Sequence, residues 1–212
     1  MALRTRRQRT ERGSPAVVSF SFDGVVCKEL CQESHTDTSR FGHHDGIENV
    51  PAIVTREAVA GDFERYFDEG FQEFSPESRH LRFFTAVREL PENVRHRLAD
   101  VDGVRNAAVL AFDAAVILPD HPEGKPIGVA RWMGNDEGPP ELSISVIDEY
   151  QGIGVGTRLM DALLALARTR GVNRIIADVL RDNTGMRTLV NRYRAVVQRS
   201  GDPVVVRYRI DV

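Results

Sequence analysis

The stretch from Glu141 to Arg170 constrains this chain more than any other, because it places a strand, a glycine-rich turn and a helix in immediate succession. Glu141 to Ile147 alternates, with Leu142, Ile144 and Val146 on one face, as a half-buried strand does. Asp148, Glu149 and Tyr150 lead out of it, and Gln151-Gly152-Ile153-Gly154-Val155-Gly156 makes a tight turn. From Val155 onward, Leu159, Ala162, Leu163 and Leu166 recur on one helical face, and Gly171, preceded by Arg168 and Arg170, closes the helix. Glycines let successive backbone N–H groups converge, and the helix that follows adds its positive end. The product is a cradle suited to a pyrophosphate.

Three nucleotide-type patterns compete for this turn. A P-loop requires Lys-Ser/Thr after its last glycine, where this chain has Thr157-Arg158. A Rossmann fingerprint requires a third glycine where Thr157 stands, a turn directly on the strand, and more chain for the remaining strands; Asp178 alone favours it. The pattern Q-x-x-G-x-G fits at every position, through Gln151, Gly154 and Gly156.

In that motif the chain resembles the GNAT N-acetyltransferases, from about Ala52 to Arg192. The string Ser75-Pro76-Glu77-Ser78-Arg79-His80-Leu81-Arg82-Phe83-Phe84, and Glu141 ten residues before Gln151, are similar to the bacterial protein-lysine acetyltransferase branch. The resemblance implies an α/β (α+β) fold, with a mixed, mostly antiparallel central sheet of about six to seven strands flanked by helices. It implies acetyl-CoA as co-substrate and no metal. Ile144, Ser145 and Val146 would bind it through their backbone, and Gln151, Gly152, Ile153, Gly154, Val155, Gly156 and Thr157 would hold its phosphates. Asn183 and Met186 would meet the pantetheine arm, although Asn183 reads equally as a helix N-cap. Glu141 would be the general base. By spacing alone it reads as a solvated strand start, and the resemblance gives it the catalytic role. A lysine amine, with a solution pKa of about 10.4, needs such a base, whereas a thioester is already activated. The implied reaction is direct attack of an amine, foremost a protein lysine. A small-molecule amine as acceptor, or a silent acyl-CoA-binding module, are the other readings. Relatives often carry a tyrosine as acid for the thiolate. Tyr193 is near that place, and Arg194-Ala195 replaces the family's usual Gly-Phe.

The chain has 212 residues, with 42% hydrophobic and 28% charged, as an ordinary globular protein does. A net charge of −3 argues against a general nucleic-acid binder, and no apolar run approaches the ~20 residues of a membrane span. The expected location is cytoplasmic. Residues 1–50, with Arg4, Arg6, Arg7, Arg9 and Arg12 and then a polar tract, read as a disordered or weakly ordered extension, and 51–212 as the catalytic domain. Cys27, Cys31, His35, His43 and His44 lack the compact spacing of a zinc site. Nothing in 1–50 is long enough for the regulatory domain that well-known relatives carry, so no regulation is predicted.

Within 51–212, Ile53–Val59 reads as a first strand and Asp62 as N-cap of a helix Phe63–Phe74. That helix carries a core stripe of Phe63, Phe67, Phe71 and Phe74. Ser75 caps a second helix, whose Arg79 and Arg82 read evenly as substrate-side or as plain packing. A third helix covers Pro91–Asp100. Strands follow over Asn106–Ala115 and Ile127–Trp132, joined by a turn in which His121 reads as solvated. Asn173–Leu180 is a further strand, Asp182–Met186 opens a helix, and Ala195–Gln198 with Val204–Ile210 forms a closing hairpin.

Overall fold

The computed structural model describes residues 51–85, 87–134 and 138–212. The expected extension over 1–50, with Cys27, Cys31, His35, His43 and His44, lies outside them. Seven strands form one sheet: β1 Ile53–Glu57, β2 Asn106–Asp113, β3 Lys125–Met133, β4 Glu141–Val146, β5 Arg174–Leu180, β6 Val196–Gln198 and β7 Val205–Asp211. Their spatial order is β1-β2-β3-β4-β5-β7-β6, antiparallel everywhere except between β4 and β5. The α-helices are α1 Asp62–Gln72, α2 Pro76–Phe83, α3 Glu92–Ala99, α4 Val155–Thr169 and α5 Thr184–Arg192. This is the mixed, mostly antiparallel sheet that the sequence implies.

The main core lies between the sheet and α4. Leu159, Met160, Leu163 and Ala167 of α4 are fully buried against Trp132, Ile127, Ile175 and Tyr208. Each large side chain so buried contributes roughly 1.5–3 kcal/mol. The periodicity finds Leu159 and Leu163 but gives equal weight to Ala162 and Leu166, which are only partly buried. Gly128 permits the closest approach. A Cβ there would lie 2.8 Å from the Ser145 carbonyl oxygen and 3.0 Å from Leu159 Cδ1, so a side chain would push β3 off both β4 and α4.

A smaller cluster sits beneath α1 and α3, built on Phe71, Leu90 and Leu98. Phe71 of the expected aromatic stripe is buried, and Phe63, Phe67 and Phe74 are partly buried and pack against this cluster while also bordering a cavity. Ser75 caps α2 as expected, accepting the Ser78 N–H at 3.1 Å. Asp62 does not cap α1. Gly61 holds that place with φ 92°, and the Asp62 carboxylate turns back to accept Val59 N–H at 2.7 Å and Arg56 Nη1 at 2.6 Å. Arg56 also donates to Glu123 at 2.7 and 2.9 Å, so one guanidinium ties β1, α1 and the β2–β3 turn together.

His121 is not solvated. It is 3% exposed, with Nε2 2.5 Å from Glu69 and its ring 5.1 Å from that of Tyr66. Two flanking prolines made it look like a turn residue, but α1 folds over that turn.

Candidate active site

The site begins with a fault in the sheet. β4 pairs with β3 along its whole length, from Gly128↔Val146 to Met133↔Glu141, and β5 pairs with β7 from Arg174↔Asp211 to Leu180↔Val205. Between β4 and β5 only Glu141 and Ile176 are partners, supported by the Ile176 N–H donating to the Pro140 carbonyl at 2.9 Å. Beyond that point the two strands splay apart. Ile144, Ser145 and Val146 therefore present an edge of β4 that β5 does not cover, open to hydrogen-bonding partners from elsewhere. A cleft of about 350 Å³ occupies the gap. Ile144, Ser145 and Val146 form one wall; Asn183, Met186 and Leu189 form another.

At its far end the cleft meets the N-terminus of α4. Gly154 is the N-cap, at φ 97°, a conformation that favours glycine, and no side chain caps the helix. The first intrahelical bond runs from Arg158 N–H to the Gly154 carbonyl at 3.1 Å, which leaves the N–H groups of Val155, Gly156 and Thr157 for a ligand. Gly152, Gly154, Gly156 and Thr157 line the cleft. The Val155 side chain belongs to the core at 1% exposure, and Ile153 is 52% exposed outside the cleft. Any contribution of these two comes through the backbone alone.

The Gln151 side chain is held in place. Its amide donates to the Val146 carbonyl at 3.0 Å, to Asp148 at 3.0 Å and to Ser78 Oγ at 3.1 Å. Asp148 in turn accepts the Ser75 N–H at 2.9 Å and the Ser78 hydroxyl. The carboxylate thus pins the start of α2 to the mouth of the glycine turn. Sequence reading missed Asp148 and Ser78. The signal was there, an acid three residues before Gln151 and a serine three after Ser75, but nothing along the chain shows the two meeting. Asn183 is the N-cap of α5, accepting the Met186 N–H at 2.9 Å, and it also lines the cleft. Arg192 was also missed. It lines the cleft and lies 3.4 Å from Thr157 Oγ1, a cation beside the anion cradle.

Glu141 stands at the apex of the splay, at the single β4–β5 pairing. Burial pushes its carboxyl up to about 7, and the neighbouring Asp178 carboxylate adds to this; Arg82, Arg207 and Arg97 act the other way. Asp178 is itself clasped by Arg207 through bonds of 2.7 and 2.5 Å. Arg82 reaches from α2 to donate to Ser143 Oγ at 2.9 Å, one alternation along β4 from Glu141, and burial pushes it down to about 10. Glu141 does not line the cleft itself; Arg82 does. Tyr193 points elsewhere: its hydroxyl donates to the Thr157 carbonyl at 3.1 Å or to Asp161 at 2.8 Å, and burial raises its pKa. Among the described residues no group of three or more His, Cys, Asp or Glu is placed to hold a metal ion.

The sheet thus opens at one parallel seam, with an uncapped helix N-terminus at the end of the opening. Residues 63–193 match the model of the acetyltransferase (GNAT) family, and the chain belongs to that family, the acyl-CoA-dependent N-acetyltransferases. It is 35% identical over 159 residues to acetyltransferase Pat of Mycolicibacterium smegmatis, covering 74% of this chain and 45% of that one. It is 29% identical over 129 residues to acetyltransferase PA5475 of Pseudomonas aeruginosa, covering 60% of this chain and 67% of that one. The GNAT domain of S. lividans PAT shares the fold with a TM-score of 0.64 at 25% identity, over 79% of this chain and all of that domain. The chain thus spans less than half the length of the M. smegmatis relative. No helix among the described residues is long and apolar enough to cross a membrane.

Proposed function

We propose that this chain transfers an acetyl group from acetyl-CoA to an amine, foremost a protein lysine side chain, with Glu141 as general base. The observation that carries the reading is the splay of β4 from β5, which opens a strand edge onto the glycine turn and sets Glu141 at its apex. The residues fit such a co-substrate. Three N–H groups and the α4 dipole suit a pyrophosphate, Arg192 adds a cation, and the uncovered edge at Ile144–Val146 suits the amides of a pantetheine arm. Bound there, acetyl-CoA supplies an activated thioester.

The chain's own residues do the rest. The β4 edge and α5 orient the thioester and exclude water from it. Glu141, with its carboxyl pushed up to about 7, is matched to accepting a proton from an ammonium near neutral pH. A carboxylate at its ordinary value would be too weak a base. Arg82 keeps Glu141 from rising further and so holds a useful fraction ionised. Gln151 is a positioning residue, fixing the last carbonyl of β4 relative to the turn. Tyr193 is engaged by α4 and has no acid role in this mechanism.

Isothermal titration with acetyl-CoA tests the co-substrate, and Gly156→Glu is the informative variant. Gly156 has an ordinary helical backbone, and a Cβ there touches Leu189 at 3.4 Å, so the fold tolerates a side chain while its carboxylate faces the cradle. Saturable binding by the parent, greatly weakened in the folded variant, is the expected result. An acceptor screen of lysine peptides against polyamines, free amino acids and aminoglycosides then tests the amine, with turnover confined to peptides expected.

A further inference from the structure

Phe74, Arg82 and Ser145 border two cavities, the cleft and a second one of about 90 Å³ between α1, α2 and the sheet. Phe63, Phe67, Phe71 and Phe83 give the second cavity apolar walls. Into it projects Arg131 of β3, only 7% exposed, 5.9 Å from the Phe63 ring. Its Nη2 donates to the Leu98 carbonyl at 2.8 Å. Among the described residues no carboxylate lies within ion-pair distance of Arg131 or Arg82. Asp62, the acid bordering this cavity, is already engaged by Arg56 at 2.6 Å. Burial, and then the like charge of Arg82, push the Arg131 guanidinium down to about 9. Arg82 has Glu141 as its counter-charge, whereas Arg131 is buried with only a backbone carbonyl as partner, and a cation so desolvated is costly unless an anion joins it.

We propose that this cavity is an acyl pocket for the CoA thioester of a short dicarboxylic acid, of malonyl or succinyl size, with its distal carboxylate between Arg82 and Arg131. The inference rests on the CoA assignment above. Arg131 is the cross-strand partner of Ser143, and Ser143 lies two residues, about 6.8 Å, along β4 from Ser145 on the cleft wall. A chain of three or four carbons, with a hydrogen bond of about 2.9 Å to its terminal carboxylate, covers that interval. A neutral chain of the same length would lay hydrocarbon against the Arg131 guanidinium, which has no carboxylate partner among the described residues. In the transfer, the amine nitrogen bonds to the thioester carbonyl carbon, the carbon–sulfur bond breaks, and the thiolate leaves. One ammonium proton passes to Glu141 and on to solvent, a second proton leaves the nitrogen for the departing thiolate, and the products are a carboxyacyl amide, the CoA thiol and one released proton, with the distal carboxylate unchanged throughout.

Isothermal titration of the full chain with acetyl-, butyryl- and succinyl-CoA tests this. Butyryl and succinyl match in chain length and differ in the terminal carboxylate. The expected result is succinyl-CoA binding at least tenfold tighter than butyryl-CoA. In Arg131→Met that preference should vanish while the acetyl-CoA Kd stays within about twofold. Butyryl-CoA binding as tightly as succinyl-CoA to the parent, or a preference unchanged in Arg131→Met, overturns the proposal while normal acetyl-CoA binding leaves the CoA assignment standing. Absence of acetyl-CoA binding overturns both. Should Arg131→Met fail to fold, the parent's butyryl–succinyl comparison decides alone.

Discussion

The two ends of β4 do different kinds of work. At the Val146 end the chemistry is backbone: an uncapped helix, a left-handed glycine and a strand edge that lacks its neighbour. None of those groups titrates near neutral pH. At the Glu141 end the chemistry is all side chain, with Glu141, Asp178, Arg207 and Arg82 drawn from β4, β5, β7 and α2. On the proposed function, six residues of one strand separate a binding device set by backbone geometry from a proton-transfer device set by burial and charge. Binding and chemistry should therefore respond to different variables.

The sharpest test of that division is Glu141→Gln. Turnover at pH 7.5 should fall about 10²–10⁴-fold, the range for losing a general base, while the acetyl-CoA Kd moves by less than about twofold. A parallel loss of affinity, read by titration alongside steady-state kinetics, would join the two ends and break the comparison. Gly156→Glu probes the other end. It should weaken acetyl-CoA about 30–100-fold, about 2–3 kcal/mol, and leave the shape of the kcat/KM–pH profile unchanged.

The pH dependence belongs to the Glu141 end alone. The parent's kcat/KM should rise through an inflection near pH 7, absent from Glu141→Gln. Removing the cation in Arg82→Met should move the inflection upward by about half to one unit, since Arg82 is the first of the groups that favour the ionised carboxylate. Stability carries the same signature. Glu141 is harder to ionise in the folded chain than in the unfolded one, so the parent is penalised relative to Glu141→Gln as pH rises. The two should unfold alike below pH 4.5, and the variant should gain up to about 3 kcal/mol above pH 7, measured by denaturant titration at each pH. A gain in the acid range would have the wrong sign.

The smallest effect is expected at Asp148→Asn, which loosens the tie between α2 and the glycine turn. KM for acetyl-CoA should rise only a few-fold with kcat unchanged. A large kcat effect would mean that the α2 anchor reaches through Arg82 to Glu141.

Much of the glycine end was legible in the sequence, because local geometry writes itself locally. Gln151, Gly154 and Gly156 lie within a few residues of one another, and Ser75 and Asn183 cap the helices that their positions announce. The closing hairpin was legible despite Arg194-Ala195 in place of Gly-Phe; Arg194 takes the left-handed conformation at φ 54° that a glycine adopts without strain. What failed was whatever depends on a distant element arriving. His121 looks solvated until α1 covers it, and Asp148 looks like a strand exit until α2 docks on it.

Hydrophobic period, glycine placement and capping residues by themselves determined the order of elements and the strand–turn–helix unit with its glycine turn. They act over one to four residues, which is the range of backbone sterics and of the first hydrogen bonds. Only the tertiary structure decided that β5 leaves β4 after one pairing, that Arg82 comes to lie beside Ser143, and that the Glu141 carboxyl is raised to about 7. Desolvation and charge coupling depend on which surfaces meet in space, and no residue carries that in its own place along the chain.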